Sequence, residues 1–185
     1  IKTYRNETLK SSDEEKEKNF ILNEAKNYKN SVYQYNKNPT CKIALKTGFV
    51  SEDQIQEYYS NSSIFCLPTR GEGFGLTIAQ ASLNYLPCVV PDLGGHLDFL
   101  PDNLNLLIES RYDNICNLSG LYSKDMKYVE SSICSTREKL RFLYNLWKSD
   151  KKTFYEIAEN QRNYTSSVLD EEKNFNSLIK FLYEE

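Results

Sequence analysis

The sequence has no apolar run approaching the roughly 20 residues that span a bilayer, and its first ten residues lack the apolar centre of a secretory signal. These two absences make a cytosolic location the expectation, with a peripheral place at a membrane surface left open. There is also no excess of positive charge: 23 Lys and Arg stand against 26 Asp and Glu, for a formal net charge of -3. A basic excess is what draws proteins to nucleic-acid phosphates, so no nucleic acid is expected as a partner. The five cysteines, Cys41, Cys66, Cys88, Cys116 and Cys134, form no Cys-x-x-Cys pair; His96 is the one histidine, and no Asp-x-Asp motif occurs. Nothing in that pattern suggests a zinc site, a redox pair or a divalent-cation site, and no metal is expected. Internal repeats and low-complexity linkers are absent too. What remains is 185 residues, 39% hydrophobic and 26% charged, the size and balance of one globular domain with a core of its own.

Along the chain, Ser12-Asp-Glu-Glu15 carries a capping-box signature, and Ile21, Ala25 and Tyr28 share one face of the helix it opens. A polar loop around residues 36–40 follows. Residues 42–47 alternate like a half-buried strand, and Ser51-Glu-Asp-Gln54 opens a second, short helix through Tyr59. Ser63 to Leu67 is a continuous apolar run stopped by Pro68, the pattern of a strand covered on both faces. A helix from Leu76, with Leu76, Ala79 and Leu83 at helical spacing, ends at Pro87; Cys88-Val-Val90 reads as a second buried strand. Cys66 and Cys88, in these two runs, are expected as small buried hydrophobes. A turn through Gly94-Gly95, a short helix from His96 to Leu100 and a strand from Leu104 to Ile108 complete the unit. Strands alternating with helices in this way predict an α/β domain with a parallel sheet. Residues 110–135 show no clear period and read as loop or irregular insertion. From Thr136 the pattern is helical, with Leu140, Leu143, Tyr144 and Trp147 on one stripe and Phe175, Leu178, Ile179 and Leu182 on another, both expected to face the core.

The segment with most chemical content is Leu67 to Gln80, a glycine-rich loop, Gly71-Glu-Gly-Phe-Gly75, between a buried strand and a helix. In open parallel sheets ligands bind beyond the carboxyl ends of the strands. Glycines let the backbone approach a ligand closely, and the unpaired N–H groups of a helix start favour phosphate. A diphosphate near Gly75 to Thr77 would put Gln80, about one turn on, near a neighbouring ribose and Glu72 on the sugar side. Equally, Glu72 reads as a solvated loop carboxylate and Gln80 as an ordinary surface residue. Arg70 is either a solvated cation or an offset to phosphate charge, and His96 either a helix-start residue or a ligand contact.

Gly48-Phe-Val-Ser51, Ile64-Phe-Cys-Leu-Pro68, Glu72-Gly-Phe-Gly-Leu76, Pro87-Cys-Val-Val90, Gly94-Gly-His-Leu-Asp98 and Asn105-Leu-Leu-Ile108 follow in an order and spacing that resemble retaining group 1 glycosyltransferases. The likeness covers residues 41–110 closely and the helical tail more loosely. It implies a Rossmann-like parallel sheet with flanking helices, the C-terminal, donor-binding lobe of a GT-B fold. On that likeness residues 1–40 hold the end of a strand, a charged helix and a loop, residues 41–110 the core βα units, and residues 111–185 a loop and the closing helices.

Carried over by position, Glu72 is the catalytic acid that contacts the transferred sugar. Gly73, Phe74, Gly75 and Leu76 offer backbone N–H groups to sugar and diphosphate, with Thr77 at the helix start. Gln80 stands where the family has a second acid holding the ribose, and Asp98 stands near an acid of structural role. The implied substrate is a nucleotide sugar such as a UDP- or GDP-sugar, with no cofactor and no metal, and the acceptor is a carbohydrate, a lipid-linked sugar or a protein. The family's first donor-lobe strand and the Arg and Lys after it find no match. The likeness therefore implies an incomplete lobe, inactive alone, whose acceptor lobe is supplied by the same or another chain. A catalytically silent partner subunit is the alternative reading.

Overall fold

The computed structural model describes residues 16, 19, 20, 22, 23, 50–114 and 126–183. The chain divides into two compact units, Ile1–Ile55 and Gln56–Glu185. In the first, Lys16, Asn19, Phe20, Leu22 and Asn23 are helical, within the helix expected to open at Ser12. The strand end at residues 1–4, the loop at 36–40 and the strand at 42–47 lie outside the described residues.

Helix α1, Glu52–Ser60, starts as its sequence predicts. The Gln54 N–H donates to Ser51 Oγ at 3.4 Å, and the Ser51 N–H donates to Gln54 Oε1 at 3.2 Å, the reciprocal pair of a capping box. Three short strands then form a parallel sheet in the order β1-β2-β3: β1 is Phe65–Cys66, β2 is Cys88–Pro91 and β3 is Leu107–Ile108. Phe65 stands opposite Cys88, Cys66 opposite Val89, and Val90 opposite Leu107. The mixed α/β class and its parallel sheet are as expected, and β2, the middle strand, is buried along its whole length. β1 departs from its reading as a strand covered on both faces, since Phe65 is half-buried and Cys66 exposed. An apolar run records what a strand tolerates, whereas coverage depends on which layers reach it. Among the described residues β1 is hydrogen-bonded to β2 alone.

On helix α2, Leu76–Leu83, Ala79 alone of the three helically spaced residues is buried. Leu76 and Leu83 are 62% and 38% exposed, while Ile78, Ala79, Ala81 and Ser82 are buried. The reason is close packing: α2 lies against α4, Lys151–Val168, and small residues at Ala81 and Ser82 let the two axes approach. There the Thr165 hydroxyl donates to the Phe99 carbonyl at 2.9 Å, so the Ser82 hydroxyl, 2.7 Å from Thr165 Oγ1, is the donor in that pair. Helix α3, Ile133–Ser149, precedes α4, and α5, Glu171–Tyr183, closes the chain. Val89 and Ile108 from the sheet meet Leu106, Leu143 of α3 and Phe154 of α4 in the core, with Leu140, Leu146 and Ile157 packed around them. Each such side chain contributes about 1.5–3 kcal/mol on burial.

Two further readings of the tail are corrected. Residues 110–135 are not simply loop: β4, Ser110–Asn114, pairs antiparallel with β5, Lys127–Ser131, placing Tyr112 opposite Val129. The pair escapes pattern reading because its strands are largely polar and Val129 is the one side chain on them that is buried. The aromatic stripes are less internal than expected. Leu143 is fully buried, but Tyr144 and Trp147 are exposed, as are Phe175, Leu178 and Ile179 on α5. A helical period shows amphipathicity and does not name what covers the apolar face.

Of the two cysteines read as buried, Cys88 is 1% exposed and Cys66 is on the surface. Burial pushes the Cys88 thiol from 9.0 up to about 12. Between those values the unfolded chain sheds a proton that the folded chain keeps, so stability is expected to fall as pH rises through that window. In native protein at pH 8, thiol-alkylating reagents should modify exposed Cys134 and leave Cys88 untouched until denaturant is added; mass spectrometry of the digested protein reads this directly.

Candidate functional site

The loop after β1 is held from two sides. On one, the Leu67 N–H donates to the Val89 carbonyl at 3.0 Å, continuing the β1–β2 ladder to the loop's edge. On the other, the Val129 N–H of β5 donates to the Arg70 carbonyl at 2.8 Å. The Arg70 guanidinium adds an ion pair of 3.3 Å to Glu130 and lies 5.0 Å from the centre of the Tyr128 ring. Arg70 is thus largely solvated, with 72% of its side chain exposed, while its head group fastens the loop to the β4–β5 pair. The ion pair is exposed and worth little on its own, so the backbone bond and ring contact carry most of this attachment.

The glycines of the site divide by geometry. Gly75 has φ +91° and Gly94 φ +137°, conformations that L side chains rarely adopt. A Cβ on Gly95 would overlap the Gly73 carbonyl oxygen, so the turn after β2 packs directly on the backbone of the glycine loop. Gly71 and Gly73 are different: a Cβ at either meets nothing within 4 Å. The close approach expected of the whole loop is therefore required at Gly75, Gly94 and Gly95.

Gly75 is the N-cap of α2 and supplies no capping side chain. Its carbonyl accepts the first bonds of the helix, from the N–H groups of Ile78 and Ala79 at 2.9 Å each. The N–H groups of Leu76 and Thr77 precede that ladder, in the position where a helix start takes an anion. Glu72 is half-buried. Its Cγ would touch a Cβ on Gly75 at 3.4 Å, so the side chain lies over the helix start. Among the described residues its carboxylate has no hydrogen bond or ion pair. Phe74 is 52% exposed, with its ring 5.0 Å from that of buried Phe99. Glu72, Gly73, Phe74, Gly75, Leu76 and Thr77 are thus adjacent at one loop-to-helix junction. Gln80, half-buried, lies further along the same helix, where Tyr59 of α1 reaches it. The Tyr59 hydroxyl is 3.2 Å from the Thr77 carbonyl oxygen and 3.4 Å from Gln80 Oε1.

His96 turns out to be wholly buried. Its Nε2 lies 2.7 Å from the Pro91 carbonyl oxygen, and because a carbonyl only accepts, Nε2 carries the hydrogen in the neutral ring. A Cβ on Gly94 would be 2.8 Å from the ring's Cε1, and one on Gly75 would be 3.1 Å from His96 Cβ. His96 therefore packs against both conformationally restricted glycines, its ring against Gly94 and its Cβ against Gly75. Asp98, in the same short 3-10 turn, is exposed. Sequence reasoning missed Tyr59 and the β5 residues Tyr128 and Glu130 as parts of this region. No local signal marks them, since each reaches the loop or α2 from a distant stretch of chain.

A cavity of about 380 Å³ lies away from this junction, between β4, β5 and the start of α3, lined by residues that include Glu109, Arg111 and Glu130. Among the described residues no three His, Cys, Asp or Glu side chains gather as a metal site would require, and no helix is long and apolar enough to cross a membrane.

Comparison with known proteins shows the family. Residues 21–120 match the family described as glycosyl transferases group 1. The chain is also 30% identical over 60 residues to sulfoquinovosyl transferase SQD2 of Arabidopsis thaliana, a segment that is 32% of this chain and 12% of that protein. The matched span of the family takes in the sheet, the glycine loop, α2 and the Gly94-Gly95 turn, and with more than half of its residues inside that span the chain belongs to the group 1 glycosyltransferases.

Proposed function

We propose that the loop from Glu72 to Gly75 and the first turn of α2 bind a nucleotide-sugar donor, a UDP- or GDP-sugar, from which the sugar passes to a carbohydrate, lipid-linked or protein acceptor with retention and without a metal. The diphosphate takes the N–H groups at Gly75, Leu76 and Thr77, where the helix start offsets the charge of the departing nucleoside diphosphate. Glu72 accepts hydrogen bonds from hydroxyls of the transferred sugar, Gly73 and Phe74 add backbone donors, and Gln80 holds the ribose. The chain serves as the donor lobe of a GT-B enzyme, with the acceptor held by a second lobe. The observation that supports this best is the half-buried Glu72 carboxylate, uncommitted among the described residues and lying over a helix start that has no capping side chain.

Isothermal titration calorimetry with UDP-glucose, GDP-mannose, UDP and GDP tests it. One of the nucleotide sugars should bind saturably. Glu72→Ala should weaken that ligand by about 10- to 100-fold, the worth of a charged hydrogen bond, while changing the matching nucleoside diphosphate less than about threefold. Equal losses for both ligands would remove Glu72 from the sugar. Gln80 in place of an acid favours a second reading, a silent partner subunit, and that reading predicts no saturable binding of any of the four.

A further inference from the structure

Tyr59 and Gln80 together say more about the nucleotide end of the site. Tyr59 is 8% exposed, its ring 6.3 Å from that of Phe65, so its hydroxyl is delivered to α2 from a fixed position. Among the described residues its one hydrogen is offered to the Thr77 carbonyl and to Gln80 Oε1. With Oε1 turned to Tyr59, the amide's other end, Nε2, points away. Among the described residues nothing accepts from Nε2, and it is not one of the buried atoms left without a partner. Nε2 therefore keeps some contact with solvent.

Resting on the donor-site reading above, we infer that Tyr59 is a positioning residue that sets the hydrogen-bonding polarity of the ribose subsite, so that Gln80 donates to ribose oxygens instead of accepting from ribose hydroxyls. A carboxylate at this place needs O–H donors on the sugar. An amide held by its oxygen needs only an oxygen lone pair. The site therefore takes ribose whose oxygen is alkylated and discriminates against ribose whose oxygen is missing.

The test compares UDP and GDP with their 2′-deoxy, 3′-deoxy, 2′-O-methyl and 3′-O-methyl analogues, by calorimetry on the full chain and on Gln80→Glu. The two proteins have side chains of the same shape at residue 80, so steric effects of the methyl group cancel in the comparison. In the wild type, removing the oxygen that Gln80 contacts should weaken binding about fivefold, one neutral hydrogen bond, and methylating it should cost less than about threefold. In Gln80→Glu the same methylation should cost about tenfold or more, because it removes a hydrogen donated to a charged acceptor.

Tyr59→Phe keeps the buried ring and frees the amide to turn. It should shrink the deoxy penalty to less than about twofold, a change that loss of packing alone does not produce. If Tyr59→Phe fails to fold, the wild type against Gln80→Glu decides the matter. A wild type as intolerant of methylation as Gln80→Glu, or a folded Tyr59→Phe with an unchanged deoxy penalty, overturns the inference. Failure of both UDP and GDP to bind overturns the donor-site reading itself, and this inference with it.

Discussion

Gly95→Ala is expected to weaken binding of UDP and GDP at the glycine loop by about 100-fold. The added methyl group would overlap the Gly73 carbonyl oxygen, and the next nearest atoms are the Gly73 carbonyl carbon and Phe74 Cα, all backbone. Backbone has no rotamer to give, so the loop must shift by the better part of an ångström or more. A displacement of that size at a positioned site costs about 100-fold. The loss should reach both halves of the proposed donor contact together, because Gly73 lies between Glu72 and the α2 start. Gly71→Ala provides the control. Its Cβ meets nothing within 4 Å, and it should leave both binding and melting temperature close to wild type. Calorimetry on the two variants reads the contrast, and wild-type affinity in Gly95→Ala would show that the turn and loop are not in contact as described.

The second large effect concerns stability. Gln161 of α4 is 2% exposed and acts as a clip on the backbone entering β2: its Oε1 accepts from the Cys88 N–H at 3.1 Å, and its Nε2 donates to the Leu86 carbonyl at 3.0 Å. These groups are buried where the chain turns out of α2 into the middle strand. Gln161→Leu keeps the volume, leaves the Cys88 N–H without a partner and, among the described residues, leaves the Leu86 carbonyl with only the weak Cys88 thiol donor, 3.2 Å away. The orphaned N–H costs about 1–3 kcal/mol and the lost carbonyl bond about 1 kcal/mol more, so the variant should lose roughly 2–4 kcal/mol, about 10 °C in Tm for a unit of this size. Gln161→Glu separates the two bonds, since a carboxylate still accepts from Cys88 but does not donate to Leu86. Exposed Asn163→Ala on the same helix should stay within about 0.5 kcal/mol of wild type. Urea titrations followed by circular dichroism measure all three. A Leu variant as stable as wild type would mean that the Gln161 bonds add nothing to the junction between α4 and the sheet.

Both effects involve residues whose importance is illegible along the chain. Gly95 matches a turn glycine of the family likeness, but nothing along the chain marks its contact with the Gly73 backbone, and Gln161 reads as one polar residue in a charged helix. What the sequence does mark is local. The Ser51-to-Gln54 spacing specifies a capping box because the four residues contact one another. The Cys88-Val-Val run specifies a short buried strand because Pro87 and Pro91 bound it on both sides. The glycine loop is legible for the same reason, as its strand, turn and helix follow within fifteen residues. His96 marks the limit of this kind of reading. As the one histidine in the chain it invited a chemical role, and it proves to be wholly buried, with its ring against Gly94 and its Cβ against Gly75.

The sequence by itself determined the α/β alternation, the family likeness and the identity of the loop that carries Glu72, since each follows from residue types a few positions apart and from periods that burial imposes. The tertiary structure alone decided that α2 presents Ile78, Ala81 and Ser82 inward, that the stretch after Ile108 pairs as β4 and β5, and that Arg70 is bound to Glu130. It also decided that Gln80 meets Tyr59. These outcomes depend on contacts between residues about 20 to 83 positions apart. No local period encodes them, because which of several acceptable faces is buried is settled only when a second element, with its own volume and hydrogen-bonding groups, packs against the first.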